Sequence, residues 1–299
     1  VDELLQGFYA LVQSGQSWDE ALATIKAINP AMAVTGASAE TLASGMTVAA
    51  QSFGFDLSDL KTAKLMLDQM YAAGNLGNAE LENLADIFAR VGNNAKTAGL
   101  SFEGTLAFIE RMSLVEKQPE RLATLTDSTL RLFTNQKYMT KAAKVTGVNF
   151  YDAKGERRAM FDVLADIRDR YQKFKTSAEK DKAFSAAFGD TDLDTQRGLR
   201  IFLDADTIDE ARTFSGEIKE SAGLIAQKLP SAVANAVDQT ARLKAEIGKA
   251  ADAFAQPIND VIEDGIKYIL DTQQIGGKEL LVGGSLAALG GFGALKLGG

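Results

Sequence analysis

The sequence predicts an all-α protein: a compact multi-helix bundle over residues 1–205, then a long helical or coiled-coil segment over 206–275, then a Gly-rich apolar tail over 276–299. Three observations lead there. Four prolines in 299 residues, with abundant Ala, Leu, Lys and Glu, favour helix. A mark of Gly, a spacer and a helix-capping residue recurs along the first half of the chain. Between the marks, apolar residues step with a helical period, and no long period-2 alternation calls for a sheet.

The marks are Gly15-Gln16-Ser17, Gly36-Ala37-Ser38, Gly54-Phe55-Asp56, Gly99-Leu100-Ser101 and Gly147-Val148-Asn149, with Gly77-Asn78 as a shortened version. Gly closes a helix in the left-handed conformation. Ser, Asp or Asn accepts the free N–H groups where the next helix begins. The marks from 15 to 99 lie 18 to 23 residues apart, room for one helix and a turn. Ser17-Trp18-Asp19-Glu20 reads as a capping box.

The faces between marks follow in order: Trp18, Leu22, Ile25 and Ile28; Leu42, Met46, Ala49 and Phe53; Leu57, Leu60, Leu67 and Met70; Leu81, Leu84, Phe88 and Val91; Phe102, Leu106, Ile109 and Met112. Around Val148–Ala159 the turn chemistry of Asp152-Ala153-Lys154-Gly155 predicts a short hairpin-like element. Phe161, Leu164, Ile167, Tyr171 and Phe174 resume a helix face. The period of roughly 45 residues per helix pair matches helical-repeat arrays. The side chains of successive pairs differ too much for a solenoid, so a bundle is expected.

After Asp206 aromatics thin out and Ala rises. Val233, Ala236, Thr240, Leu243, Ile247, Ala250 and Phe254 step alternately by three and four, a heptad seam. Pro257 interrupts it, and Ile258, Ile262, Ile266 and Ile269 continue the stripe. Two readings stand side by side: a self-association seam that makes the chain a homo-oligomer, or a stripe that packs on the chain's own core.

Composition excludes several function classes. The chain has no Cys and no His, which removes thiol catalysis, His acid–base work and ordinary zinc sites. Its net charge of −8 argues against nucleic-acid binding through a basic surface. Val1-Asp2-Glu3-Leu4 is not a signal-peptide start, and without an initiator Met the chain reads as a processed form or a piece of a longer one. Asp190-Thr191-Asp192-Leu193-Asp194 opens like a calcium loop, but Thr195 and Ile201 stand where that loop needs Gly and Glu. A capped loop before a Gln196–Leu203 helix is expected instead. Asp204 and Asp206 read as caps. Lys173, Lys175, Lys180 and Lys182 are interleaved with Glu179 and Asp181 and read as a solvated face. Gly283-Gly284 and Gly290-Gly291-Phe292-Gly293 lack the Lys-Ser/Thr of a phosphate loop. No catalytic constellation, metal site or cofactor is expected.

The stretch NAELENLADIFARVGNNAKTAGLSFEGTLAFIERM, residues 78–112, resembles the core of tail tape measure proteins of long-tailed bacteriophages. Thr146-Gly147-Val148 with Tyr151-Asp152-Ala153-Lys154-Gly155, then Phe161–Ile167, then Phe188-Gly189 with Arg197-Gly198-Leu199 resemble further marks of that family, in its order. The resemblance covers roughly residues 1–265, including the coiled stretch around Leu243, Pro257 and Ile258, and is weakest over Gln118–Lys144. It implies a non-enzymatic protein of the tail tube lumen. Such a protein sets tail length, works with tail tube and baseplate proteins and tail assembly chaperones, and leaves ahead of the DNA.

The end of the chain, Leu280–Leu295, carries no charge and is followed by Lys296. As a helix its ~16 residues span ~24 Å, against ~30 Å of bilayer hydrocarbon. Leu281, Val282, Leu286, Leu289, Phe292 and Leu295 are the candidate membrane residues. Gly283/Ala287 and Ala287/Gly291 supply small-xxx-small spacing. Within the resemblance this predicts insertion into the host inner membrane during infection. A buried or flexible tail is the alternative. Two further function classes fit the residues, a helical pore-forming toxin and a helical-repeat binding scaffold.

Overall fold

The computed structural model describes residues 2–235. Thirteen helices follow one another among the described residues: α1 (Asp2–Gln13), α2 (Trp18–Thr35), α3 (Ala39–Phe53), α4 (Leu60–Leu76), α5 (Leu81–Thr97), α6 (Phe102–Ser113), α7 (Pro119–Thr134), α8 (Gln136–Thr146), α9 (Met160–Tyr171), α10 (Ser177–Phe188), α11 (Leu193–Phe202), α12 (Thr207–Lys219) and α13 (Leu224–Asn235). The fold is all-α. Among the described residues the nearest approach to β structure is one antiparallel bridge between Tyr151 and Arg157 in the expected hairpin. There Asp152 Oδ1 accepts the Lys154 and Glu156 N–H groups, each at 2.8 Å, and closes the turn.

The glycine marks act as the sequence suggests. Gly15, Gly36, Gly54, Gly99 and Gly147 all have positive φ. Gly36, Gly54 and Gly147 donate to the last carbonyls of α2, α3 and α8. Ser17 forms the capping box with Glu20, and Ser38 and Ser101 cap α3 and α6. Three details differ. Asp59, not Asp56, caps α4, because Asp56 is drawn into a turn with Ser58. No helix starts at Asn149, where the chain enters the hairpin. Gly77 is extended, at φ −127°, for a reason given below.

The core is one continuous cluster from Leu4 to Ile225. At its centre Phe53, Phe55, Phe88 and Phe102 pack with ring centroids 5.2–6.0 Å apart, and Phe108 stacks on Phe202 at 4.6 Å. Trp18 and Phe174 are the exceptions among the expected core residues: they are 46% and 39% exposed, and Trp18 meets Phe8 edge-on at 4.8 Å. Helices cross closely where one carries Gly. Gly45 of α3 lies against Ala85 of α5, Gly7 of α1 against Ala39 of α3, and Gly198 of α11 against Thr129 of α7.

The core does not stop at residue 205. Ile208, Ala211 and Ile218 of α12 and Ile225 of α13 belong to the same cluster. Helix α12 packs on α6, and α13 on α2 and α4. An extended segment beginning at 206 therefore does not describe residues 207–235. These carry enough apolar side chains on one face to be drawn back onto the bundle. The returns of α12 and α13 also make the fold a closed bundle, not an open row of stacked hairpins. Residues 236–275 and the tail 276–299 lie outside the described residues.

Candidate functional site: carboxylates and arginines that hold helix ends

A chain without His or Cys carries its charge on carboxylates, amines and guanidinium groups. Most of the strongly placed ones hold helix ends. Arg157 Nη1 donates to Phe133 O at the end of α7, at 2.7 Å, and its guanidinium lies 5.2 Å from the Tyr151 ring centroid. Arg170 Nη1 donates to Thr146 O at the end of α8. Arg168 Nη1 donates to Ala205 O at 3.0 Å and pairs with Asp209 at 2.7 Å. Gln172 Nε2 reaches Leu203 O at 2.8 Å. Last-turn carbonyls have no partner within their own helix, and a cation there also meets the negative end of the helix dipole. The hairpin and α9 thus tie down the C-terminal ends of α7, α8 and α11.

Two buried carboxylates perform the complementary task at helix starts. Asp68, in α4, accepts the Gly223 N–H at 2.7 Å and the Ile225 N–H at 2.8 Å. It caps α13 from 155 residues away in sequence and ties that helix to the bundle. Burial raises its pKa, against the two backbone donors that pull it down. An open cavity of about 260 Å³ lies beside this latch, between α2, α4 and α13. Glu110, in α6, is fully buried; its Oε2 accepts the Ala79 N–H at 3.2 Å and the Ser113 hydroxyl at 2.7 Å. Burial pushes its pKa up to about 7, with Ser113 and the Ala79 and Asn78 backbone opposing. Both acids escaped the sequence reading. The available signal was an acid inside an apolar helix run, LMLDQM at 65–70 and LAFIERM at 106–112.

The residues singled out from sequence are in structural use. Asp192 caps α11: Oδ1 accepts the Thr195 N–H at 2.9 Å, and Oδ2 accepts the Thr195 hydroxyl and faces Arg131 at 3.6 Å. The capped helix begins at Leu193, three residues earlier than expected. Asp190 pairs with Lys141 at 2.7 Å, which lowers its pKa. Asp204 accepts the N–H of Ala205, and Asp206 precedes α12 without a side-chain capping bond. Lys173, Lys175 and Lys182 are exposed, while Lys180 lies over the Tyr171 ring and donates to Gln172. Among the described residues no three acids gather as a metal site would require, and no helix is long and apolar enough to cross a membrane. Of the seam residues only Val233 is described, as part of α13. Ala236, Thr240, Leu243, Ile247, Ala250 and Phe254 lie outside the described residues. So do Leu281, Val282, Leu286, Leu289, Phe292 and Leu295.

No solved structure matches this chain. A tape measure protein of Pneumococcus phage Dp-1 is 23% identical over 296 residues, which covers 96% of this chain and 25% of that protein. The chain therefore spans about a quarter of the length of the curated relative it matches. The model of the phage-related minor tail protein family matches residues 1–189, which run from the start of the chain through α10. That match extends over more than half of the sequence, including the stretch 78–112 that resembles the tape measure core, so the chain belongs to the phage-related minor tail protein family.

Proposed function

We propose that this chain is a folded module of a phage tail tape measure protein. In this reading the whole protein sets tail length, templates tail tube assembly and is released during DNA ejection. The observation that carries it is similarity along nearly the whole chain to a quarter of a tape measure protein. Its partners are tail tube and baseplate proteins and the tail assembly chaperones. Its place is the lumen of the tail tube in the virion, the host cytoplasm during assembly and the host envelope during infection. No catalytic step is assigned to it.

Geometry separates the module from the ruler. A single helix adds ~1.5 Å per residue, so 234 residues in one helix would span about 350 Å. The same residues packed as one domain have a radius of gyration of only about 17 Å. Tail length therefore belongs to extended helical parts of the whole protein, and the bundle is a folded assembly module. Self-association through the 233–254 seam would join copies along the tube axis. The segment 280–295 would enter the inner membrane once the protein has left the tail.

The test uses the full-length gene in its phage. Removing whole heptads from an extended coil should shorten tails by about 1.5 Å per residue removed. Deleting helices within residues 36–205 should abolish tail assembly, since it breaks a packed core. Viable phage with proportionally shorter tails after a core deletion would reverse the assignment.

A further inference from the structure

Glu110 is held in a setting that suits a neutral acid and not an ion. Its side chain is fully buried, and Oε1 has no hydrogen-bond partner among the described residues. Oε2 and the Ser113 hydroxyl together grip the corner between α4 and α5. Ser113 Oγ accepts the Asn78 N–H at 2.8 Å and donates to Glu110 Oε2, which also takes the Ala79 N–H. Asn78 Nδ2 adds a bond to Ser113 O at 3.2 Å. Gly77 is pressed onto this pair. A side chain there would collide with Glu110 Oε2 and come within 2.6 Å of Ser113 Oγ, which is why the corner carries Gly in an ordinary negative-φ conformation.

Among the described residues no counter-charge serves the carboxyl. Helix α4 has no charged residue after Asp68. At the start of α5, Glu80 is exposed and Glu82 accepts the Ser38 N–H. Arg111 on α6 pairs with Glu210 of α12 at 2.6 Å. In the turn before α7, Glu116 pairs with Arg197 of α11 at 3.1 Å and Lys117 is exposed. None of them acts on Glu110, whose pKa is set by burial and the nearby donors. An ion here would be both buried and unpaired, which is strongly unfavourable. Water is one residue away: Asn78 is exposed and Gly77 half-buried. The carboxylate reaches it only if the corner swings off α6.

We propose that Glu110 and Ser113 form a proton-operated clasp. The neutral carboxyl holds residues 77–79 against α6, and loss of its proton releases the α4–α5 corner. The reaction is a single ionisation: the proton leaves to solvent and the carboxylate follows by becoming hydrated.

Amide hydrogen exchange of the full chain, read by mass spectrometry on peptides covering 74–82, tests this. Rates are corrected for intrinsic exchange and measured from about pH 4 to about pH 8.5. Wild type should lose protection in these peptides between about pH 4.5 and about pH 7, by up to about tenfold per pH unit, and level off above that, while α3 peptides hold theirs. Glu110→Gln should abolish that slope. Ser113→Ala serves if the Gln variant does not fold. It removes a bond that favours the ion, so the levelling-off should move to higher pH, from a lower starting protection. Wild-type protection that ignores pH, a Gln variant with the wild-type slope, or a levelling-off point unmoved or lowered in Ser113→Ala would each overturn the clasp.

Discussion

Replacing Gly45 with Ala tests the packing logic of the bundle most directly, because two effects of known sign oppose each other. Ala is intrinsically better than Gly in a helix interior by about 1 kcal/mol. An ideal Cβ at Gly45 would sit 2.7 Å from Ala85 O and 2.9 Å from Ala85 Cα and Cβ. Three of those contacts are shorter than side chains tolerate, and two of the three atoms are backbone. Rotamer changes cannot relieve them. Helices α3 and α5 must move apart by roughly half an ångström to one ångström, at their closest crossing in the centre of the core. Overpacking of this kind costs about 1–3 kcal/mol. The expected net change is a destabilisation of about 1–2 kcal/mol, or a few degrees in Tm for a domain of this size. Gly216 in α12 is the control. It is exposed, and a Cβ there meets nothing within 4 Å, so Gly216→Ala should stabilise by up to about 1 kcal/mol. Thermal and urea unfolding followed by far-UV circular dichroism read both. A Gly45→Ala protein as stable as wild type, alongside the expected gain at Gly216, would refute the close-crossing argument.

Three other outcomes follow from named contacts. Asp68→Ala strips two backbone donors of their acceptor and should lower stability by about 1–3 kcal/mol; cleavage by a protease in residues 219–224 should rise, and unchanged cleavage would mean that apolar contacts alone hold α13. Glu110 has a folded pKa of about 7 against an ordinary 4.5, so its contribution to stability is full below about pH 4.5 and is lost as pH rises through about 7, a change of up to about 3 kcal/mol; Glu110→Gln should flatten Tm over that window, and a Gln variant with the wild-type pH profile would contradict the assignment. Leu243→Asp and Ile247→Asp should each lower the association state in sedimentation, and Leu286→Asp should abolish liposome flotation of the released C-terminal fragment while tails assemble at normal length; a strictly monomeric wild type, or a wild-type fragment that never floats, removes the corresponding proposal.

The all-α class, the helix order and most helix ends were legible in the sequence because they rest on local chemistry. A left-handed Gly followed by Ser17, Ser38 or Ser101 uses residues within a few positions of one another, so chain spacing alone reveals it. Apolar periodicity likewise identified Leu42, Met46, Leu84, Phe88 and Leu106 as core. Asp56 and Asn149 misled because a short polar side chain serves a turn as readily as a helix start, and the following residues decide which. Tertiary structure alone decided what partners distant in sequence share. Asp68 meets Gly223 and Ile225, Arg168 meets Ala205 and Asp209, and Glu110 meets Ala79, and no spacing rule links such positions. The same holds for the return of α12 and α13 to the bundle. An apolar stripe states that a face will be buried, whereas the surface that buries it depends on which grooves the other helices leave open.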